Sequence, residues 1–555
     1  MLRCHNLTVR PGADPSAAPI LDHVSAAFRA RGMNALIGPS GCGKTTLVKA
    51  MLGLVPRDAD GEVWLGEEQM LRAEDLLGRV GFAPQFSIAQ PKLTVEECLR
   101  YGLELSVADA AVRAERLERM LGVIGLAEHR HKRVESLSGG QLRRLGLGLE
   151  LTVDPPTLIC DEVTSGLDPL SENTILELLR GLVREQGKTI VCIIHNLAKL
   201  SSFDLITVVY AGEVVFQGDL EELHAHFGVP DALRLYDALN TQPVAFWRER
   251  WAHAHRPAEE QAVLPAPARV TPPGSASQFW TLMHRRVRLL LRDHGFLSLV
   301  LAITFGFPIL VVIFALNGLS QMPAPPDQSP SIEAMQRTVE YGKTAAQTAS
   351  LVTGLIMFQV ILLTLMGANN GAREIAAERL LYEKERLTGL RPAAYTLSKL
   401  VFTALLAALQ GIWMTGFVKV ICAFPGPWST QMAMFVMSCV AMTWVCLAFS
   451  ALLTSAEKAS TLSIYLVGFQ LPLSGVVLAL PSYLVWVCRP FINAYWAWAG
   501  YFSSMDQTRF YDAYTYTNPE TAVTSPYMAG FVLGVHALVG AGLVYWGCRQ
   551  RRWNA

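Results

Sequence analysis

A glycine-rich stretch around one lysine and one threonine offers the most specific chemistry in this chain. Residues 38–45 read GPSGCGKT, which fits the phosphate-binding pattern G-x-x-x-x-G-K-[ST]. Glycines let backbone N–H groups close around phosphate oxygens, and the N-terminus of the following helix adds positive potential. In this pattern Lys44 reaches the β- and γ-phosphates and Thr45 holds Mg²⁺. The predicted phosphate-binding residues are Gly38, Pro39, Ser40, Gly41, Cys42, Gly43, Lys44, Thr45 and Thr46.

Two adjacent carboxylates form a second candidate group. The apolar run 157–160, TLIC, is predicted to be a strand that ends in Asp161 and Glu162. Burying such a pair is costly unless it has a partner, and a metal-bound phosphate supplies one. Asp161 therefore suits Mg²⁺ coordination, and Glu162 suits the group that orients and polarises an attacking water.

Further polar groups lie at the ends of other predicted elements. Gln85 ends a short strand, and His195 ends the apolar run 189–194. Residues 137–141, LSGGQ, precede a helix whose exposed N–H groups suit an anion. On its own, Gln85 is an ordinary loop glutamine and His195 is more often structural than catalytic. Their place in the series therefore decides their interpretation.

The elements that must position these groups alternate along residues 1–228. Short apolar strands are followed by helical stretches, a pattern typical of an α/β fold. The strand at 33–37 and the helix at 46–52 flank the glycine-rich stretch, which is the context that a phosphate-binding loop requires. We therefore predict an α/β P-loop NTPase fold for this part of the chain.

The order of these motifs resembles that of the nucleotide-binding domain of an ABC transporter. Six motifs follow the family's order, namely Walker A (38–45), the Q-loop (Gln85), the signature (137–141), Walker B (LICDE, 158–162), the D-loop (SGLD, 165–168) and the H-loop (His195). The resemblance implies that Gln85 senses Mg²⁺ and the membrane domain, and that His195 contacts the γ-phosphate of ATP. It also implies a dimer with two composite sites, because the signature binds the ATP held by the partner subunit's Walker A.

The resemblance assigns a role to each matching residue. Catalytic roles fall to Glu162, His195 and Gln85, and metal-binding roles to Thr45, Gln85 and Asp161. Further ATP contacts are implied for Ser138, Gly139, Gly140, Gln141 and Asp168. Val163 stands where the family usually has proline, and residues 9–12 offer no aromatic ring to stack on adenine. Neither departure removes a phosphate, metal or water-activating group, so an active ATPase that uses ATP and Mg²⁺ is expected.

The composition changes along the chain in a way that indicates a membrane domain. Lys plus Arg and Asp plus Glu both number 47, and this balance gives no footprint of nucleic-acid binding. Charged residues concentrate before about residue 293, and long apolar runs dominate the rest. About twenty apolar residues span a bilayer as a helix. Six spans are predicted, at 296–318, 346–369, 395–423, 430–454, 460–486 and 528–548.

Basic residues flank these spans on alternate sides. They precede the first span, lie between the second and third and between the fourth and fifth, and follow the sixth. Since Lys and Arg mark the cytoplasmic side, we expect a multi-pass protein of the plasma (inner) membrane with its ATPase domain and both termini in the cytoplasm. The ten cysteines are scattered singly, which argues against a zinc site or a disulfide framework.

Four regions follow from these patterns. They are an ATPase domain at 1–228, a proline-rich linker at 229–277, a connecting helix at 278–294 and an all-α, six-helix membrane domain at 295–555. The connecting helix is amphipathic and is expected to lie on the membrane surface, with packing on the ATPase domain as the alternative. The aromatic region 487–527 is expected outside the membrane, as a re-entrant lid or as an interfacial belt. A disulfide between subunits at Cys488 stays open.

The segment 371–391 is too charged to span a membrane and is predicted to form a cytoplasmic helical hairpin, with a solvated linker as the alternative. Its pattern E-R-x-x-x-x-x-E-x-x-[ST]-G resembles the coupling segment of ABC subfamily G exporters. The resemblance implies a dimeric half transporter in which Glu378, Glu385 and Arg386 couple the two domains. It also implies that a substrate cavity between the membrane domains is lined by Leu363, Met366, Phe469 and Leu471. Core packing or lipid contact is the alternative for each of these four.

The function expected from the sequence is ATP-driven export of an amphipathic or lipid-like substrate. The partners expected are a second identical or closely related half transporter and the lipid bilayer, and no nucleic acid. One alternative is a mechanical transmitter that uses ATP to act on a partner without transporting anything itself. Another is an importer, a class that usually keeps its ATPase on a separate chain.

Overall fold

The computed structural model shows an α/β part followed by a helical part. It describes residues 2–11, 17–55, 59–70, 73–254, 271–316, 322–324, 332–477, 480–518 and 523–550.

The described strands of the first part form two sheets. They are β1 (Leu2–Val9), β2 (Leu21–Ala27), β3 (Met33–Ile37), β4 (Ala59–Leu65), β5 (Glu68–Gln69), β6 (Val80–Ala83), β7 (Thr157–Asp161), β8 (Thr189–Ile193), β9 (Leu205–Tyr210) and β10 (Glu213–Gly218). The smaller sheet has the order β2-β1-β4-β5 and is antiparallel. The larger has the order β10-β9-β3-β8-β7-β6 and is parallel from β9 to β6.

The parallel strands explain why the polar motifs converge. Strands β3, β7 and β8 are buried along their whole length, as expected for strands covered on both faces. The carboxyl ends of parallel strands meet at one edge, and ligands bind outside that edge in open α/β sheets. Each of β3, β6, β7 and β8 ends at or near a predicted site residue. These residues are Gly38, Gln85, Asp161 and His195.

Eight helices described in this part surround the sheets. They are α1 (Lys44–Met51), α2 (Val95–Ser106), α3 (Ala110–Val123), α4 (Gly139–Glu150), α5 (Pro169–Gln186), α6 (Leu220–Phe227), α7 (Leu235–Leu239) and α8 (Val244–Ala254). Thr94 and Ser138 begin α2 and α4 with capping boxes, each of which satisfies otherwise unpaired backbone donors. The predicted α/β class is confirmed.

The predicted start of the linker at residue 229 is wrong. Leu235, Leu239 and Trp247 of α7 and α8 are buried in the same hydrophobic core as the large sheet. The Trp247 indole Nε1 also donates a hydrogen bond to the Leu239 carbonyl oxygen at 3.2 Å. The ATPase part therefore continues through α8, because these apolar side chains cover the sheet edge. The proline-rich residues 255–270 lie outside the described residues.

Eleven helices described in the second part carry the long apolar runs. They are α9 (Ser275–Arg292), α10 (His294–Ile313), α11 (Ile332–Gly371), α12 (Arg379–Leu387), α13 (Pro392–Cys422), α14 (Trp428–Leu452), α15 (Ala456–Gln470), α16 (Ser482–Cys488), α17 (Asn493–Ser503), α18 (Arg509–Thr517) and α19 (Pro526–Arg549). Among the described residues, five segments are long and apolar enough to cross a membrane. They are α10, the run from α11 to α12, α13, α14 and α19.

The predicted fifth span at 460–486 is not one helix. Helix α15 has 15 residues and ends at Gln470, and a 3₁₀ turn begins at Pro472. Proline has no N–H group to continue an α-helix, and Gly475 then reverses the chain with φ of 70°. Helix α16 resumes only at Ser482. The helix therefore ends inside the predicted span, just before Pro472.

The aromatic residues after this break belong to the membrane-domain core. Tyr495, Trp498, Tyr501 and Phe502 of α17 are almost fully buried. They lie in one hydrophobic cluster with residues of α11, α14 and α19. These four side chains therefore do not form an interfacial belt, because the helix that carries them packs inside the bundle.

Helix α14 packs against α11, α13 and α19, and glycines allow its close approach to each of them, for example at Gly371 and Gly540. A Cβ added at Gly371 would lie 2.4 Å from the Thr443 carbonyl oxygen, and one at Gly540 would lie 2.9 Å from the Trp444 carbonyl carbon. Close helix contacts in membranes commonly use such small residues.

Gly371→Ala is expected to destabilise the membrane domain by about 1–3 kcal/mol, because overpacking a close helix contact forces backbone shifts. Thermal unfolding of the detergent-solubilised chain measures this loss. Gly416→Ala is the matched control, since an added Cβ at Gly416 in α13 meets nothing within 4 Å. Equal melting temperatures for the two variants would contradict the proposed contact.

Candidate nucleotide site and its contact with the membrane helices

The glycine-rich loop has the shape that phosphate binding requires. Gly38 has φ of 152°, and a Cβ there would lie 2.0 Å from the Val209 carbonyl oxygen. Gly43 has φ of 103° and begins α1. Buried Lys44 folds back over the loop, and its Nζ donates to the carbonyl oxygens of Gly38 (2.8 Å) and Pro39 (2.9 Å). This loop and the N-terminus of α1 suit an anion.

Two of the three predicted metal ligands, Thr45 and Asp161, lie together beside this loop, and the third, Gln85, contacts Glu162. The Thr45 hydroxyl donates a hydrogen bond to Asp161 Oδ1 at 3.2 Å, so the two oxygens already face each other. Burial and the neighbouring Glu162 raise the pKa of Asp161. A divalent cation would offset both effects, and hard oxygen ligands suit Mg²⁺. Thr45 and Asp161 therefore fit the role of holding Mg²⁺.

Glu162 follows β7, and its carboxylate contacts side chains that follow the two neighbouring strands, β6 and β8. The Nε2 atom of His195 lies 2.6 Å from Glu162 Oε1, and the Gln85 amide donates to Glu162 Oε2 at 3.0 Å. Glu162 also has φ of 52°, an uncommon backbone conformation for a residue other than glycine. The three predicted catalytic residues thus form one hydrogen-bonded group. A carboxylate held in this way can orient a water molecule and accept its proton.

Val163, which replaces the usual proline, is buried in the core of the α/β part. With valine in place of proline at this position, the Glu162 carboxylate still contacts both His195 and Gln85.

The signature residues form a separate, capped helix start. Ser138 Oγ accepts from the Gln141 backbone N–H at 3.3 Å, and Gln141 Oε1 accepts from the Ser138 N–H at 3.0 Å. Gly139 and Gly140 form the first turn of α4. Among the described residues, no hydrogen bond joins this loop to the glycine-rich loop of the same chain.

Asp168 caps the next helix, α5. Its Oδ1 accepts from the backbone N–H groups of Leu170 (3.1 Å) and Ser171 (3.0 Å). Hydrogen bonds from Ser171 and Leu170 lower the pKa of Asp168, so the carboxylate is charged near neutral pH. A Cβ at Gly140 would meet Ser171 Oγ at 2.7 Å, so the signature turn packs closely on this cap.

The predicted coupling carboxylates contact the connecting helix, helix α13 and the loop that follows Gln85. Arg285 of α9 donates to both carboxylate oxygens of Glu385 in α12, the longer contact being 3.0 Å. Glu378 receives Lys399 Nζ at 2.6 Å and the amide of Gln90 at 3.2 Å. Since Gln90 lies five positions after Gln85, Glu378 contacts the loop that carries a predicted catalytic residue.

One prediction for this segment needs correction. Residues 371–391 form a 3₁₀ turn and one helix, α12, and therefore not a helical hairpin. The guanidinium of Arg386 lies 3.8 Å from Glu383 of the same helix. The 3₁₀ turn after α11 directs α12 toward the ATPase part, so one helix is enough to make the contact with that domain.

Several residues at this contact were missed in the sequence. Lys384 of α12 lies 2.8 Å from Glu150 at the end of α4, and both side chains are almost fully buried. Burial raises the pKa of Glu150, and the charge of Lys384 opposes that shift. Gln278 is also fully buried, and its amide donates to the carbonyl oxygens of Leu105 and Gly389 at 2.9 Å each. No local pattern identifies these residues, because their partners are distant in sequence.

The connecting helix packs on protein as well as facing outward. Arg288 and Arg292 of α9 donate to Glu97 of α2 at 2.8 and 3.0 Å. Burial would raise the pKa of Glu97, but these arginines and the Thr94 N–H lower it to about 2. The alternative of packing on the ATPase domain is therefore correct for this face, while Trp280 and Leu291 remain exposed. The sequence contains a pattern that could have indicated this contact, namely the acidic pair Glu96–Glu97 in residues 93–99 (LTVEECL) and the basic residues of the connecting helix.

The four predicted cavity residues divide into two groups. Leu363 and Met366 are 0% exposed and belong to the core of the bundle, so the prediction that they line a cavity between subunits is corrected. They point inward because α11 is surrounded by α13, α14 and α17. Phe469 and Leu471, at the end of α15, are 57% and 39% exposed.

Comparison with known proteins agrees with this two-part organisation. Residues 21–165 match the family model described as ABC transporter, and residues 277–506 match the one described as ABC-2 type transporter. The ABC transporter ATP-binding/permease protein Rv1747 of Mycobacterium tuberculosis is 28% identical over 475 residues, which cover 82% of this chain and 52% of that protein.

Two further relatives match the ATPase part alone. The methionine import ATP-binding protein MetN of Caulobacter vibrioides is 37% identical, and the alignment covers 38% of this chain and 64% of that protein. MetN 1 of Rhodococcus jostii is 32% identical, with 41% and 70% covered.

The chain belongs to the ABC transporters. Within them it combines an ATP-binding domain with an ABC-2 type membrane domain that follows it on the same chain. It spans about half the length of the Mycobacterium relative (52%) and 64% of the Caulobacter one.

Glu162→Gln is expected to lower the rate of ATP hydrolysis by about 10²–10⁴-fold, because the amide cannot accept a proton from water. Binding of a fluorescent ATP analogue should be retained, since the glycine-rich loop is unchanged. Phosphate release and analogue binding are measured on the same preparation. Glu177→Gln, at an exposed position on α5, is the control. Ordinary hydrolysis by Glu162→Gln would refute the assigned role.

Glu385→Arg is expected to separate ATP hydrolysis from the membrane domain, because it places two guanidinium groups face to face. Substrate stimulation of hydrolysis should be largely lost, because the contact between α9 and α12 is broken. Basal hydrolysis should persist. The double variant Arg285→Glu with Glu385→Arg restores opposite charges and should recover part of the stimulation. Unchanged stimulation in the single variant would count against a coupling role for this pair.

Proposed function

We propose that this chain is an ATP-hydrolysing half transporter that exports an amphipathic or lipid-like substrate as a dimer. The observation that carries the proposal is the buried contact between α12 of the membrane domain and the ATPase domain. It includes the pair Lys384–Glu150 and the bridge from Gln90 to Glu378. Such a contact lets a change at the nucleotide site reach the membrane helices.

Hydrolysis is assigned to the group around Glu162. In this proposal Glu162 accepts the proton of the attacking water, while His195 and Gln85 hold the carboxylate in place through the contacts described above. Lys44 and the backbone of the glycine-rich loop bind the phosphates of ATP. Thr45 and Asp161 hold Mg²⁺, which supplies charge neutralisation at the phosphates when bound.

A dimer is proposed because one chain alone provides an incomplete ATP site. The Ser138–Gln141 loop presents backbone N–H groups at the start of α4, yet no described hydrogen bond ties it to the glycine-rich loop of its own chain. In the proposed dimer this loop and Asp168 complete the ATP site of the partner subunit. The partner is a second copy or a closely related half transporter, and no nucleic acid is involved.

Export is favoured over import by the organisation of the chain. The relatives named as import proteins match only the ATPase part, at 38% and 41% of this chain, whereas the membrane half matches the ABC-2 type. Exposed apolar residues at the break after α15, Phe469 and Leu471, suit an amphipathic substrate. The proposed location is the plasma (inner) membrane, with the ATPase domain and both termini in the cytoplasm.

Stimulation of ATP hydrolysis tests this function. The chain is reconstituted in nanodiscs, and phosphate release is measured with lipids, glycolipids and amphipathic drugs. A transported compound is expected to raise the rate severalfold, because occupancy of the substrate site and the conformation of the ATP site are energetically coupled. Glu162→Gln provides the hydrolysis background. A flat response to every compound would refute substrate coupling and favour a mechanical transmitter.

A further inference from the structure

A large cavity lies where the membrane helices meet the ATPase domain. Its volume is about 700 Å³, and its walls come from four regions of the chain. The ATPase loop contributes residues 90–92, and the end of α11 with the following turn contributes most of one wall. The remaining walls are the junction of α9 with α10 and the first half of α15. The cavity is separate from the nucleotide site.

One side of the cavity is apolar and open. Leu299 of α10, Leu365 of α11 and Ile464 of α15 line it, and each is 40% exposed or more. These three helices contribute to the predicted spans. The apolar side therefore suits a hydrocarbon chain.

The acidic residues in the wall are already neutralised. Arg286 donates to Glu374 at 2.5 Å, and Lys399 contacts Glu374 at 2.9 Å and Glu378 at 2.6 Å. Asp293 caps α10 by accepting from the Phe296 N–H at 3.2 Å, where the helix dipole offsets its charge.

One cation in the wall is left over. Lys92 lies 2.9 Å from Glu135, so its charge has a partner. Arg373 is exposed, and its side chain makes no hydrogen bond or ion pair with any residue that the structure describes. The lining of the cavity thus combines an apolar side with one guanidinium that has no partner among the described residues.

Three buried polar side chains, which begin with Asn370 in the wall near Arg373, are linked by hydrogen bonds. Asn370 Nδ2 donates to Gln410 Oε1 at 2.7 Å, and Gln410 Nε2 donates to Thr304 Oγ1 at 3.2 Å. Asn370 is 4% exposed, and its Oδ1 atom has no partner among the described residues. A buried polar atom without a partner is costly, and because this oxygen is an acceptor it suits a hydroxyl group of the ligand and not its anionic oxygens.

We propose that this cavity binds an amphipathic molecule with an anionic headgroup. Arg373 binds the phosphate or carboxylate of the headgroup, and Leu299, Leu365 and Ile464 contact its hydrocarbon chain. The inference rests on the proposed export of an amphipathic substrate and assigns that substrate a negative charge. It also gives each subunit its own binding site, next to the ATPase loop at residues 90–92.

Lipid retention without nucleotide tests the proposal. The full chain is placed in nanodiscs of phosphatidylcholine with a minor fraction of phosphatidylglycerol, and retained lipids are measured by native mass spectrometry. Wild type should retain phosphatidylglycerol preferentially. Arg373→Gln should lower that preference roughly tenfold, as expected for one lost hydrogen bond to a charged group. Arg373→Lys should keep most of it.

Two further variants keep the test decisive. Lys458→Gln removes an exposed cation at the start of α15 outside the cavity and should leave the preference unchanged. Ala377→Phe introduces a bulky ring at the cavity wall and should lower the preference, which covers the case of an unstable Arg373 variant. Equal losses in Lys458→Gln and Arg373→Gln would overturn the proposal, since they would indicate general attraction to an acidic bilayer.

A competition experiment separates a lipid headgroup from a free anion. Inorganic phosphate added to the nanodiscs should not displace phosphatidylglycerol, because it cannot use the apolar wall. Displacement at equal affinity would overturn the amphipathic ligand. Since no nucleotide is present, a chain that fails to hydrolyse ATP can still pass this test, and an active transporter can fail it. Failure here is thus distinguishable from failure of the proposed function.

Discussion

Charge pairs buried between the ATPase domain and the membrane domain are the constraint on which the rest of the molecule depends. Lys384 with Glu150 is removed from water on both partners, and Glu97 of α2 pairs with Arg288 and Arg292 of α9. Burying such groups costs free energy that only well-aligned partners offset, and loss of one partner costs about 3–5 kcal/mol. The two domains therefore have one favourable alignment. Any movement of α12 relative to α4 must keep these charges paired.

The carboxylates of the nucleotide site also need partners that offset the cost of burying them. Asp161 and Glu162 are adjacent carboxylates at the end of a buried strand, and the structure gives each a separate set of partners. Thr45 faces Asp161, whereas Gln85 and His195 hold Glu162. Parallel strands bring these residues together from positions far apart in sequence. The helix that begins at Ser138 links this region to Glu150, so one element touches both the signature loop and the domain interface.

Residues in motifs of fixed spacing could be predicted from sequence because local backbone geometry decides their role. The glycine-rich loop, the carboxylate pair and the polar strand ends belong to this group. Side-chain direction in long apolar helices could not, since every face of such a helix is apolar. The inward direction of Leu363 and Met366 therefore could not be predicted from the sequence. Pro472 did signal a break, but its effect on helix length depended on the Gly475 turn that follows. Lys384 and Glu150 needed the tertiary structure to meet.

Helix α11 has a mechanical consequence that follows from its length alone. Its 40 residues run without interruption from Ile332 to Gly371, which at 1.5 Å per residue is about 60 Å. One end adjoins the turn that leads into α12, and the other lies beyond the bundle core, against α18. A stiff rod of this length converts a tilt of a few degrees at the ATPase end into a displacement of several ångströms at the far end. In the proposed dimer, closure of the ATPase domains can therefore be small and still open a path on the opposite side of the membrane.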